Sequence, residues 1–124
     1  MKSSLRILSI GVMEPLRVAY DIYLRQHRCE LATATDYREL YALPTEEKWE
    51  VAVLYYSLSQ DEMRESAHFI RRRWPKTRIL IMHAETPRMD DALYDDRVVP
   101  GVNPDVLLAV VDRLAGSGER KLTA

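Results

Sequence analysis

The chain reads as an α/β domain built on a single doubly wound, five-stranded parallel sheet, and three observations predict it. Five short apolar runs, at residues 5–12, 31–34, 51–56, 79–83 and 98–99, are separated by segments with helical spacing. The run Val51-Ala52-Val53-Leu54-Tyr55-Tyr56 has no polar interruption, the mark of a parallel strand covered on both faces. Helix-start signals follow the strands, and Pro or Gly ends the helices. Such alternation closes into right-handed crossovers that put helices on both faces of the sheet.

Composition sets the frame. With 124 residues, 47% hydrophobic, the chain can bury one real core, so 1–124 is expected to be one domain. Its core is about 5–114, and Gly116-Ser117-Gly118 is expected to release 115–124 as a flexible tail. A net charge of −1 creates no overall field toward nucleic acid or an anionic membrane, and neither is an expected partner of the chain by itself. Cys29 is the only cysteine, which excludes an internal disulfide and a cysteine zinc cluster and fits a reducing cytoplasm. There is no secretory apolar region after Met1-Lys2-Ser3-Ser4 and no run of 18 apolar residues, so the protein is expected to be soluble and cytoplasmic.

In chain order, Leu5-Arg6-Ile7-Leu8-Ser9-Ile10-Gly11-Val12 is rich in β-formers and turns at Gly11. Pro15 can then open a helix at its first position, where a missing N–H has no partner to lose. Leu16, Ala19, Tyr20 and Tyr23, with His27 near the end, lie along one face of that helix, and Arg17, Asp21 and Arg25 lie away from it. Residues 30–34 form a second strand. Asp36-Tyr37-Arg38-Glu39 has capping-box spacing and opens a helix that Pro44 ends.

Residues 51–56 are the central strand. Ser59-Gln60-Asp61-Glu62 is a full capping box, and Met63, Ala67, Ile70 and Trp74 recur at helical spacing until Pro75. Arg78-Ile79-Leu80-Ile81-Met82-His83 repeats the buried-strand pattern. Thr86-Pro87 caps a helix through Tyr94 that is short and polar, so residues 86–97 should be the least stable part of the fold. After the weak strand Arg97-Val98-Val99, Asn103-Pro104-Asp105 caps a last helix through about Leu114.

Arg6-Ile7-Leu8 through Pro15, Ala34-Thr35-Asp36 leading into Glu39-Leu40, Glu50-Val51-Ala52-Val53-Leu54, Arg73-Trp74-Pro75 before Arg78-Ile79-Leu80-Ile81, and Asn103-Pro104-Asp105-Val106-Leu107-Leu108 together carry a family resemblance. In order and spacing they resemble a response-regulator receiver domain over about residues 5–114. The resemblance implies a flavodoxin-like fold and a place in two-component signal transduction or a phosphorelay.

A working receiver has an acidic pair after the first strand, a phosphoacceptor Asp ending the third, a Ser/Thr ending the fourth and a Lys-Pro at the fifth. The carboxylates hold Mg²⁺, the Asp is the nucleophile, and lysine and metal neutralise the transferring phosphoryl group. Here Gly11 and Val12 fall on the acidic pair, with Glu14 the nearest carboxylate, and Tyr55 falls on the phosphoacceptor. His83 falls on the Ser/Thr switch position and Pro100 on the lysine, or Val99 if the register slips by one. Asp61, the next acid after the central strand, already fits the first turn of a helix. The resemblance is therefore to an atypical pseudo-receiver, with no catalytic residue, no cofactor and no metal. His27 and His68 have no paired Cys, Asp or Glu at ligand spacing.

The function this implies is a non-catalytic signalling module acting through protein–protein contacts, not phosphorylated by the aspartyl route. Two alternatives stand beside it. Tyr55 or Tyr56 with His83 could line a small-ligand, redox or pH-sensing pocket, or displaced acids, Glu14 and Asp61 among them, could restore a phosphoacceptor. For both tyrosines and His83, plain packing is the competing reading. Arg71-Arg72-Arg73 with Lys76 and Arg78 could grip phosphates, but cations at a helix end are already favoured by the dipole. The consecutive apolar residues 106–111 exceed the stripe that covers a sheet. In the receiver family the fourth helix, fifth strand and fifth helix form the usual contact face, so a homodimer or signalling partner is expected there. Val106 or Val110 would be at its centre, and Asp90, Asp91 and Asp95 at its rim.

Overall fold

The computed structural model describes residues 5–123, and side chains for residues 5–116. Five strands form one sheet, β1 (Leu5–Ile10), β2 (Cys29–Ala34), β3 (Val51–Leu54), β4 (Arg78–Met82) and β5 (Asp96–Val98). All pairings are parallel and the order is β2-β1-β3-β4-β5. The chain order reverses between β1 and β3, and the crevice outside their carboxyl ends is where open α/β sheets place their ligands. Between strands run α1 (Pro15–Gln26), α2 (Tyr37–Tyr41) and α3 (Gln60–Arg73), and α4 (Pro104–Thr123) follows β5.

Alternation along the strands sorts the core into two layers. Leu8, Ile10, Ala52, Leu54, Ile79 and Ile81 face α2 and α3, where Leu40, Met63, Ala67 and Ile70 meet them. Ile7, Val51, Val53, Leu80 and Met82 face α1 and α4, where Tyr20, Leu24, Leu107, Val111 and Leu114 meet them. Three capping devices start the helices, those of α2 and α3 as the sequence implies. Glu14 caps α1, Asp36 caps α2, and Ser59 with Glu62 closes a reciprocal capping box on α3.

The structure corrects several expectations. Thr86-Pro87 opens no α-helix; the only helical turn between β4 and β5 is a 3₁₀ turn, Asp91–Leu93. The segment has no apolar stripe to drive an amphipathic helix. Its backbone is held instead by side chains: Gln60 Oε1 accepts from the Arg88 N–H at 2.9 Å and Asp90 from the Ala92 N–H at 3.0 Å. Asp95 is not a free rim charge, since it pairs with Arg71 at 3.1 Å and Arg78 at 3.6 Å and accepts from the Ile79 N–H at 2.7 Å. Asp90 and Asp91 are exposed.

α4 continues to Thr123, past the Gly116-Ser117-Gly118 expected to end it. Much of its apolar surplus is core: Leu108 and Val110 pack partly buried against the α1–α4 layer, and Val106 points outward, 45% exposed. The buried face of α1 is also displaced by one position from the expected one. It is made by Arg17, Tyr20, Asp21 and Leu24, while Ala19 and His27 are exposed. Arg17 and Asp21 can be inside because each satisfies the other. Among the described residues, no helix is long and apolar enough to cross a membrane.

Candidate functional site

The candidate site is the C-terminal edge of β1 and β3. Strand β1 ends at Ile10, and its hydrogen bonding extends one step, Gly11 N–H donating to the Ala34 carbonyl at 2.9 Å. Gly11 then takes φ +152, and a Cβ there would stand 2.8 Å from Tyr55 Cβ and 2.9 Å from Ser57 Oγ. Only glycine admits that approach. On the β3 side, Tyr55 N–H donates to the Ile10 carbonyl at 2.9 Å, and Ser57 Oγ accepts from the Val12 N–H at 2.9 Å. The two strand ends are therefore drawn together where a receiver would hold its acids apart around a metal.

Tyr55 is fully buried. Its ring lies 6.4 Å from that of Tyr20 and 5.9 Å from the Arg17 guanidinium carbon. Burial pushes the pKa of its hydroxyl far above the ordinary tyrosine value, with the nearby Asp21 carboxylate adding to the rise and Ser9 and Arg17 opposing it. Tyr56 lies in the turn after β3 and packs, partly buried, against the same core layer. Its hydroxyl donates to Glu14 Oε2 at 2.6 Å, which lowers the Glu14 pKa and raises its own.

Beneath this surface lies a charged cluster that the sequence reading did not anticipate. Arg17 Nε donates to Asp21 Oδ2 at 3.2 Å, one guanidinium NH₂ group to the Gly11 carbonyl, and the other to the Ser9 carbonyl at 3.3 Å. Ser9 Oγ donates to the second Asp21 oxygen at 3.0 Å. Ser9, Arg17 and Asp21 are all essentially inaccessible. Burial raises the Asp21 pKa, against the opposing pull of Arg17 and Ser9. The available signals were an opposite-charge pair spaced i, i+4 and a lone Ser within an apolar strand.

His83 and Pro100 do not join this arrangement. His83 Nδ1 lies 3.0 Å from the Glu85 N–H and 3.1 Å from the Glu85 carbonyl, and Nε2 lies 3.5 Å from the side-chain nitrogen of Gln60. Pro100 and Gly101, the latter at φ +88, form a turn closed by Val102 N–H on the Val99 carbonyl at 3.3 Å. Tyr20 Oη pins that turn from α1, donating to the Val102 carbonyl at 2.6 Å. Glu14 and Asp61 are likewise apart, Asp61 being exposed and paired with Arg64 at 2.9 Å on α3.

The residues present do not fit Mg²⁺. Gly11 and Val12 offer no side-chain oxygen, and Glu14 is engaged by the Leu16 and Arg17 N–H groups and by Tyr56. Among the described residues, no three His, Cys, Asp or Glu side chains are grouped to hold a metal ion. Nor does the only cysteine offer a reactive thiol, since burial pushes Cys29 up to about 11.

Neither a protein-family model nor a curated protein sequence matches the chain. Solved structures do resemble it in fold. The CheY-like response regulator receiver domain protein from Methanospirillum hungatei JF-1 superposes with a TM-score of 0.82 at 18% identity, over 96% of this chain and 99% of that one. The signal receiver domain of an HD domain-containing protein from Pseudomonas fluorescens Pf-5 gives 0.83 at 12% identity, over 99% and 95%. The response regulator protein TrrA from Thermotoga maritima, solved in complex with Mg²⁺ and BeF, gives 0.74 at 22% identity, over 89% and 98%. The likeness is one of architecture: the chain has the flavodoxin-like fold of receiver domains.

Proposed function

We propose that the chain is a non-catalytic, receiver-like signalling module that acts in the cytoplasm through protein–protein contacts and is not phosphorylated by the aspartyl route. One observation carries this reading. The position equivalent to the phosphoacceptor is Tyr55, fully buried against the bare backbone of Gly11. An inaccessible phenol with a raised pKa is no substitute for a carboxylate nucleophile, and the one cation near it, Arg17, is engaged by Asp21 and two carbonyls. With no phosphoryl group to accept, such a module offers a constant surface.

The contact face we propose is the outer side of α4 with the loop after β5, through which a second copy or a signalling partner would bind. Val106 and Val99 stand out there, 45% and 49% exposed, with Asp90 and Asp91 as the remaining candidates for its rim. The rival sensor reading has less support, because the side-chain neighbours of His83 are Glu85 and Gln60 and the Tyr56 hydroxyl is bonded to Glu14.

Intact-mass spectrometry after acetyl phosphate treatment tests the proposal. The expected result is an unchanged mass. A gain of one phosphoryl group, abolished by substituting one particular Asp, would overturn it. For the contact face, V106E should shift the protein toward monomer in light scattering without lowering its melting temperature, and an unchanged size distribution would remove α4 from the interface.

A further inference from the structure

The opposite edge of the sheet, at the N-terminal ends of β3 and β4, carries an open groove. Trp49 precedes β3 and Trp74 ends α3, their rings edge to face with centroids 6.3 Å apart, and Phe69 stands 5.9 Å from Trp74. The two indoles, with Thr45, Pro75 and Thr77, line a depression of about 360 Å³. Through Thr45 and Arg73 it continues into a second one of about 250 Å³ beside Phe69 and Arg72. The first volume is in the range of ligand sites, and two depressions that share Thr45 and Arg73 suit an extended chain.

The charges around it are one-sided. Lys48, Arg73 and Lys76 line the first depression, Arg72 and Arg73 the second. The one acid present, Glu47, is already paired with Arg6 at 2.5 Å. Arg71 and Arg78, from the same basic cluster, share Asp95 as an ion-pair partner. Lys48, Arg72 and Lys76 have no ion pair or hydrogen bond among the described residues. A chain of net charge −1 thus concentrates unpaired cations around its tryptophan groove.

We infer that this groove docks an acidic segment of a partner protein, with an apolar side chain lying along the groove floor beside the indole edges and carboxylates reaching Lys48, Lys76 and Arg72. Charge complementarity selects the sign of the partner. The rings select its class: Trp49 and Trp74 are each 6% exposed, so no ring face is open to stack a nucleic-acid base. Both indole N–H groups are buried without an acceptor, which is unfavourable for each. A slight tilt of either ring would let a bound peptide carbonyl supply one.

The chain's two tryptophans are the two in the groove, so intrinsic fluorescence reads it directly. Titration of the full chain with the synthetic peptide Glu-Asp-Phe-Glu-Glu should change the emission saturably, and Lys-Lys-Phe-Lys-Lys should not. The double variant K48E/K76E, at two exposed positions, should bind the acidic peptide at least about tenfold more weakly with an unchanged melting temperature. No response to the acidic peptide, or an equal response in the double variant, would overturn the proposal. So would an emission shift caused by an oligothymidylate strand, or by protein concentration alone, since these would assign the groove to nucleic acid or to a second copy.

Discussion

At the C-terminal edge of the sheet a single cation, Arg17, is fully buried and reaches Asp21 and two backbone carbonyls. At the N-terminal edge Lys48, Arg72 and Lys76 surround an aromatic groove with no protein partner among the described residues. Doubly wound sheets ordinarily bind their ligands at the first of these edges. In this chain that edge is closed by its own residues, and the second is open. The difference teaches that a fold's usual site can be filled while a different edge keeps unmet charge, so the place to look for binding is set by which groups lack partners.

The largest effect that can break this comparison is expected at Arg17. R17M should leave the Asp21 carboxylate buried and unpaired and destabilise the fold by about 3–5 kcal/mol in urea unfolding. R17M/D21L, which removes both charges, should recover most of that loss. A double variant as unstable as the single one would show that the cluster acts through packing and not through charge.

A smaller effect separates close approach from backbone strain alone. G101A meets nothing within 4 Å, at φ +88, and should cost about 1–2 kcal/mol, the left-handed penalty. G11A meets Tyr55 Cβ and Ser57 Oγ besides its unfavourable φ, and should cost about 1–3 kcal/mol more by overpacking. Equal melting temperatures for the two variants would mean that β1 and β3 are not tightly closed on one another.

The smallest expected effect concerns Tyr56 and Glu14, at the partly exposed rim of the closed edge. Y56F should cost at most about 1 kcal/mol at neutral pH. Because the Tyr56 hydroxyl, more than any other group, depresses the Glu14 pKa in the folded state, its contribution is present above the unfolded glutamate value. It is lost as pH falls through the depressed one. The stability gap between wild type and Y56F should therefore narrow on acidification below about pH 4.3. A gap independent of pH would show that the bond does not stabilise the ionised carboxylate.

Much of this molecule is legible before folding. The five strands, the cap residues Asp36 and Ser59, the helix-opening Pro15, and the terminators Pro44 and Pro75 act within a few residues of where they stand, so local patterning and hydrogen-bond needs suffice to read them. Gly11 and Tyr55, which the strand pattern puts at the ends of β1 and β3, do meet there. The segment between β4 and β5 was misread because a cap signal without an apolar stripe cannot make a helix. Its backbone found Gln60 and the Arg71–Asp95 pair instead.

Side-chain type and period alone lay down the parallel sheet, its two-layered core and the absence of an acid at the end of β3. Only the tertiary structure decided where charge resides. Arg17 and Asp21, spaced like a solvated surface pair, lie inside, and Arg71 and Arg78 share Asp95 across the fold while, among the described residues, Lys48, Arg72 and Lys76 are left unpaired around Trp49 and Trp74. The physical reason is that the free energy of a charge depends on its burial and on partners many residues away, and neither can be read from spacing along the chain.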